Sequence, residues 1–312
     1  MNKEIGSDFW EIPVSKDEND CFPNETKWFL SGRHALEYIV IDSEIKSVSM
    51  PKWCCSSMIE PFIKNNVSVV FYDDAPNEQC DAVFLMDYFG FSSRASVSKG
   101  YKGTVIRDLT HSIFSKTYSD ADYYFGSLRK WAGFITGGFA WGKWKKSIVL
   151  LPCDNEYVSL RKKAMELKKA YLEGDISEKS YLGLFKKASE RLNFCGLCSA
   201  YDADVFAARH FDVDGMKRAR RKNAKVLIER IGCIYPLGDN DCPLFVPIKA
   251  PKRDALRKYL IDHDVYLPVH WPNSDLDGLE LSLVCDQRYN ENDMNHICDL
   301  IQRFYDLEGG NL

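Results

Sequence analysis

Short apolar runs, each closed by a proline, a glycine or an acid, recur through the first half of the chain. Residues 45–50 stop at Pro51, 67–72 at Asp73-Asp74, and 82–89 at Gly90. Residues 103–107, 123–126 and 137–142 repeat the pattern. Runs of this length, rich in β-branched and aromatic side chains, are expected as buried strands. Between them, Met58, Ile59, Phe62 and Ile63 fall at helical spacing, as do Leu36, Ile39 and Val40 after Gly32. Strands alternating with helices predict a three-layer α/β unit whose mainly parallel sheet is covered on both faces.

The pattern changes further on. Residues 157–192 read as lysine-rich helix interrupted at Gly174-Asp175, and 212–231 as a helix stopped by Gly232. Strand 243–248, helix 252–261, strands 265–269 and 279–284, and helix 291–305 then predict a smaller α+β domain. The expected division is a large domain over 1–210, with an arm over 1–30, and a C-terminal domain over 211–312. The arm carries Phe9, Trp10, Trp28 and Phe29 and is expected to pack on the small domain or on a partner subunit.

Charge narrows the function classes. A net charge of −4 and a pI near 5.9 give no general field for nucleic acid or an anionic membrane. The basic runs Arg161-Lys162-Lys163, Lys168-Lys169 and Lys217 to Lys222 read as solvated helix faces. No stretch approaches the ~20 apolar residues of a membrane span. The first residues lack the apolar core of a signal peptide, so a cytoplasmic protein is expected. Eleven cysteines, an odd number, suit reduced thiols. The single C-x-x-C, Cys195 to Cys198, reads as two ordinary thiols, and no metal site is expected.

Two strand ends carry the candidate chemistry. The run 103–107 delivers Asp108, with Thr110 and His111 just beyond; the run 123–126 delivers Ser127 and then Lys130. Open α/β sheets bind ligands at the carboxyl ends of their strands. An acid and an amine brought together there suit pyridoxal phosphate: the amine condenses with the aldehyde, and the acid keeps the pyridine nitrogen protonated. Gly32-Arg33 at a helix start offers backbone N–H groups to a phosphate. Taken singly, each residue has a structural alternative. Asp108 could cap a helix, His111 could be a core histidine, and Arg288 could sit in an ion pair.

Together these stretches resemble the fold-type I pyridoxal phosphate enzymes, in the DegT-like branch of sugar aminotransferases. The resemblance rests on Gly32 to Leu36, Met86 to Gly90, Asp108 to His111, Ser127 to Lys130, Gly137-Gly138, Pro268 to Pro272 and Cys285 to Tyr289. It implies that Lys130 is the Schiff-base lysine and proton shuttle, that Asp108 pairs with the pyridinium nitrogen, and that His111 lies near the ring. It implies that Ser127, Gly32 and Arg33 hold the phosphate. Relatives usually place an aromatic over the ring; Trp53 or the neighbouring Cys54 is the expected occupant here. His270, Trp271 and Arg288 are expected at the substrate. The implied reaction moves an amino group from an amino-acid donor such as glutamate to a keto-sugar, with nucleotide linkage expected, in a homodimer. Another pyridoxal phosphate reaction and a non-catalytic binding role stay open. The chain departs from the family in its shortness, in the compressed interval from Asp108 to Lys130, and in Arg33-His34 where small hydroxyl residues are common.

Overall fold

The computed structural model describes residues 4–91, 95–115, 120–271 and 277–307. Strands β1 (Ile5–Gly6) and β2 (Lys27–Phe29) precede helix α1 (Gly32–Ser43). Then come β3 (Ser47–Pro51), α2 (Ser56–Lys64), β4 (Ser68–Tyr72), β5 (Ala82–Met86), β6 (Thr104–Asp108), β7 (Tyr123–Ser127) and β8 (Gly138–Gly142). Helices α3 (Asn155–Glu173), α4 (Tyr181–Arg191), α5 (Asp202–Arg209) and α6 (Val213–Arg230) follow. The chain continues through β9 (Phe245–Lys249), α7 (Arg253–Ile261), β10 (Val265–Tyr266), β11 (Glu280–Val284) and α8 (Glu291–Leu307).

A seven-stranded sheet runs β2-β8-β7-β6-β5-β3-β4. Strands β3 to β7 are parallel; β8 turns back antiparallel to β7, and β2 is antiparallel to β8. Every residue of the central β5 is buried, which is why its sequence, Ala-Val-Phe-Leu-Met, shows no alternation. One face packs on α1 and α2 through Leu36, Ile39, Phe62, Phe84, Ile106 and Phe125.

The other face departs from expectation. The connections from β5 to β6 and from β6 to β7 hold turns but no helix among the described residues. Val83, Leu85 and Val105 lie instead under Ala95, Val97, Tyr101 and Ala121. A buried ion pair fixes these connections: Arg107 Nη1 meets Asp87 Oδ1 at 2.6 Å, and Arg107 Nη2 donates to the Ala95 carbonyl at 3.0 Å. Ser112 Oγ donates to the other Asp87 oxygen at 3.2 Å.

After residue 210, α6, α7 and α8 pack around the antiparallel pair β9–β11, with Leu227, Ile248, Leu256, Leu283, Ile297 and Ile301 in the core. The run 265–269 forms only a two-residue strand, and it pairs in parallel with β1 rather than joining β9–β11. The arm thus crosses to the C-terminal elements, and Glu4 meets Lys179 at 2.5 Å and the Tyr181 hydroxyl at 3.2 Å. Three elements carry no sequence expectation: the short strand β1, the edge strand β2 and the short helix α5. Pro272 lies outside the described residues, as do residues 1–3 of the arm.

Candidate active site

A cavity of about 310 Å³ opens at the carboxyl ends of β6 and β7, beside the start of α1. Asp108, Ser127, Lys130, Gly32 and Cys55 line it. Asp108 ends β6 and is fully buried. Its Oδ1 accepts the Thr110 N–H at 2.7 Å, while its Oδ2 has no hydrogen-bond partner. Burial pushes this carboxyl up to about 6, against the hydrogen bonding of Thr110 and the charge of Lys130. An acid in this state lacks a cationic donor.

Lys130 closes the single 3₁₀ turn Leu128–Lys130 that follows β7. The turn is pinned on both sides. The Leu128 N–H donates to the Gly137 carbonyl at 2.8 Å, and the buried Trp131 donates its indole N–H to the Thr110 carbonyl at 2.8 Å. Lys130 Nζ lies 2.8 Å from His111 Nε2. His111 Nδ1 accepts the Phe89 N–H at 3.2 Å, which assigns the ring proton to Nε2. Nε2–H therefore donates to the lone pair of Lys130, and the amine must be neutral to accept. Burial holds the Lys130 ammonium below its ordinary value and keeps His111 well below its own.

One side of the cavity is built on the start of α1. Ser31 stands at the N-cap, but its hydroxyl bonds His34 Nδ1 at 2.8 Å and makes no cap. The first turn carries no acid. A Cβ on Gly32 would sit 3.2 Å from the Ser127 Cβ, so glycine lets the helix start close against the end of β7. Burial holds His34 down at about 4, which keeps it neutral at this helix end. Arg33 borders the cavity, but its guanidinium is taken by Glu60 at 3.0 Å and Asn193 at 3.0 Å.

The expectation for the ring face is corrected. Cys55, not Trp53 or Cys54, lines the cavity. Trp53 packs into an aromatic cluster, 5.4 Å from Tyr88 and 5.7 Å from Trp271 between ring centroids. Cys54 is buried in the core under α1, and burial pushes its thiol up to about 12. A bond from the Cys54 N–H to the Lys52 carbonyl at 3.0 Å tightens the chain here and breaks the strand alternation.

A second cavity, of about 470 Å³, shares Lys130 with the first and holds His270, Arg257 and Arg288. The His270 ring faces the Ser282 hydroxyl at 3.0 Å, and the His270 backbone N–H donates to Glu280 Oε2 at 2.6 Å. Trp271 stacks on His111, with centroids 5.5 Å apart and planes at 22°, so it backs the histidine. Arg288 is paired with the buried Asp286 at 2.8 Å and covers the Phe9 ring at 3.8 Å. It forms a wall of this cavity and is already neutralised. Sequence reasoning also missed Arg129, Arg161 and Asp8, which border the first cavity. Arg129 adjoins Lys130 in sequence, a signal that was available. Arg161 was hidden in a basic run read as solvated; it is 7% exposed, while Lys162 and Lys163 face solvent.

No protein-family model and no curated protein matches this chain. Solved structures do. A DegT DnrJ EryC1 StrS aminotransferase from Brucella abortus superposes with a TM-score of 0.58 at 14% identity, covering 89% of this chain and 85% of that one. PseC from Helicobacter pylori, an aminotransferase involved in the biosynthesis of pseudoaminic acid, gives 0.59 at 13% identity, covering 90% and 86%. NtdA from Bacillus subtilis, with bound cofactor PMP, gives 0.57 at 13% identity, covering 89% and 73%. The chain thus has the fold of the DegT DnrJ EryC1 StrS aminotransferases.

Proposed function

We propose that this protein is a pyridoxal phosphate-dependent aminotransferase that moves an amino group from an amino-acid donor, glutamate first among candidates, to a keto-sugar carried on a nucleotide. One observation carries the reading: a fully buried Asp108 carboxylate oxygen without a partner borders the same cavity as the amine of Lys130. A protonated pyridine nitrogen is the donor that this oxygen lacks. The fold shared with NtdA, which holds its cofactor PMP, and with PseC, an aminotransferase, supports the same choice.

Bound here, the cofactor would supply an aldehyde for the amine and a ring that accepts the electron pair left on the substrate carbon. The chain does the rest. Asp108 Oδ2 holds the proton on the ring nitrogen. His111 Nε2–H would keep Lys130 Nζ unprotonated, so that Nζ could accept a proton and hand it back. Ser127 and the first amides of α1 bind the phosphate. His270, held by Ser282 and Glu280, faces the substrate from the second cavity. We further propose that two copies of the chain close the site between them, in the cytoplasm. No helix among the described residues is long and apolar enough to cross a membrane.

Purified protein given pyridoxal phosphate should turn yellow, and borohydride should bleach it and leave the cofactor's mass on Lys130. Added glutamate should shift the absorbance and release 2-oxoglutarate. Sedimentation should report a dimer. Protein that stays colourless with the cofactor overturns the reading; colour without a response to any amino acid overturns the aminotransferase part alone.

A further inference from the structure

Two guanidinium groups at the phosphate end of the first cavity have no role in the reaction described so far. Arg129 stands two residues after Ser127 on the pinned turn. It donates from Nη1 to the Tyr157 hydroxyl at 2.8 Å, and its Nε is buried without a partner. Arg161 stands one helical turn beyond Tyr157 on α3. Its guanidinium lies over the Phe185 ring at 4.8 Å and reaches the Phe134 carbonyl at 3.4 Å; its Nε is also buried without a partner.

Two acids stand near the pair without hydrogen-bonding to it. Asp8 Oδ1 is 3.7 Å from Arg161, beyond hydrogen-bond reach, on a half-exposed side chain. Asp204 is engaged by the N–H and hydroxyl of Thr136 at 2.5 and 2.6 Å. The buried Arg161 and the half-buried Arg129, with an uncapped helix start, bring positive charge to this cavity, and a guanidinium fork matches a phosphate oxygen pair. The opposite end of the cavity offers the ring a cysteine, which gives far less stacking surface than an aromatic side chain.

We propose that Arg129 and Arg161 clamp the cofactor phosphate, so that this chain holds the dianion with its own charges and binds the cofactor mainly through that group. The proposal rests on the reading of the site as a pyridoxal phosphate site. It assigns two cofactor-binding residues and makes the phosphate, not the ring, the chief determinant of affinity.

The test compares pyridoxal 5′-phosphate with pyridoxal, which has the same aldehyde and no phosphate. Both are titrated by absorbance into the cofactor-free full chain, as wild type, Arg129→Gln and Arg161→Gln. Each glutamine variant should bind the phosphorylated aldehyde about tenfold more weakly or worse, with pyridoxal changed less than about twofold. Inorganic phosphate should raise the melting temperature of the wild type and compete with the phosphorylated aldehyde, and should do neither in the variants. Equal affinity for the phosphorylated aldehyde in all three proteins overturns the clamp. If the glutamine variants do not fold, Arg161→Lys and the wild-type phosphate titration decide: no protection of the wild type by inorganic phosphate also overturns it. A wild type that reacts with neither aldehyde, yet is protected by phosphate through these arginines, keeps the anion clamp and sinks the cofactor reading.

Discussion

His111 sits between a backbone N–H on one ring nitrogen and Lys130 on the other, and that sandwich sets the charge of the lysine. Replacing His111 with phenylalanine keeps the stacking on Trp271 but removes the donor to Nζ. The midpoint pH for labelling Lys130 with pyridoxal phosphate and borohydride should then rise by about one unit. Asp108 gives the opposite kind of signal. Burial pushes its carboxyl up to about 6, so cofactor affinity should grow as pH rises through that value. Asp108→Asn should bind weakly with no such dependence. The sign for stability follows from the same raised value. A buried acid that holds its proton longer than the unfolded chain destabilises the fold as pH rises from about 4 to 6. Cofactor-free Asp108→Asn should therefore melt above the wild type at neutral pH, by up to about 3 kcal/mol, and lose the advantage below about pH 4.

At the scale of elements, the buried pair Arg107–Asp87 takes the place of a helical layer. Asp87→Asn leaves the Arg107 charge uncompensated and should cost about 3–5 kcal/mol in denaturant unfolding. Gly138 marks the other constrained point. A Cβ there would lie 2.2 Å from the Ser31 carbonyl oxygen, so Gly138→Ala should displace the start of α1 and weaken phosphate binding. The parallel strands were legible because each is an apolar run closed by a breaker, and the same closure exposed Asp108, Ser127 and Lys130 at their ends. The layer over Val83 and Val105 was not, because the segments that cover it have no periodicity to read. Trp53 drew attention as the aromatic of its segment, and Cys55 did not, because the tight bend at 52–54 that brings Cys55 to the cavity leaves no pattern in the sequence. Arg161 shows the matching failure on a helix, where one residue of a basic run faces inward while its neighbours do not.

Over the whole molecule, the arm joins what the sequence keeps apart. Arg288 donates to the Ser7 and Asp8 carbonyls at 3.3 and 3.2 Å, Lys168 holds Ser7 and Asp8 from α3, and residues 6–9 line the second cavity. Removing residues 1–9 should therefore raise KM for the amino donor about tenfold while leaving kcat within about twofold, measured with glutamate in single half-reactions. The expected arm was legible as an aromatic stretch at the start of the chain, but its partner was not, because a two-residue strand carries too little pattern to reveal what it pairs with.

That pairing also orders events during synthesis. Ile5 pairs with Val265, a separation of 265 − 5 = 260 positions, so the opening strand waits on the ribosome until most of the chain has emerged. The sheet and the strand ends that carry Asp108 and Ser127 can assemble earlier. The wall contributed by residues 6–9 cannot, and an incompletely translated chain is left with an unclosed reaction chamber.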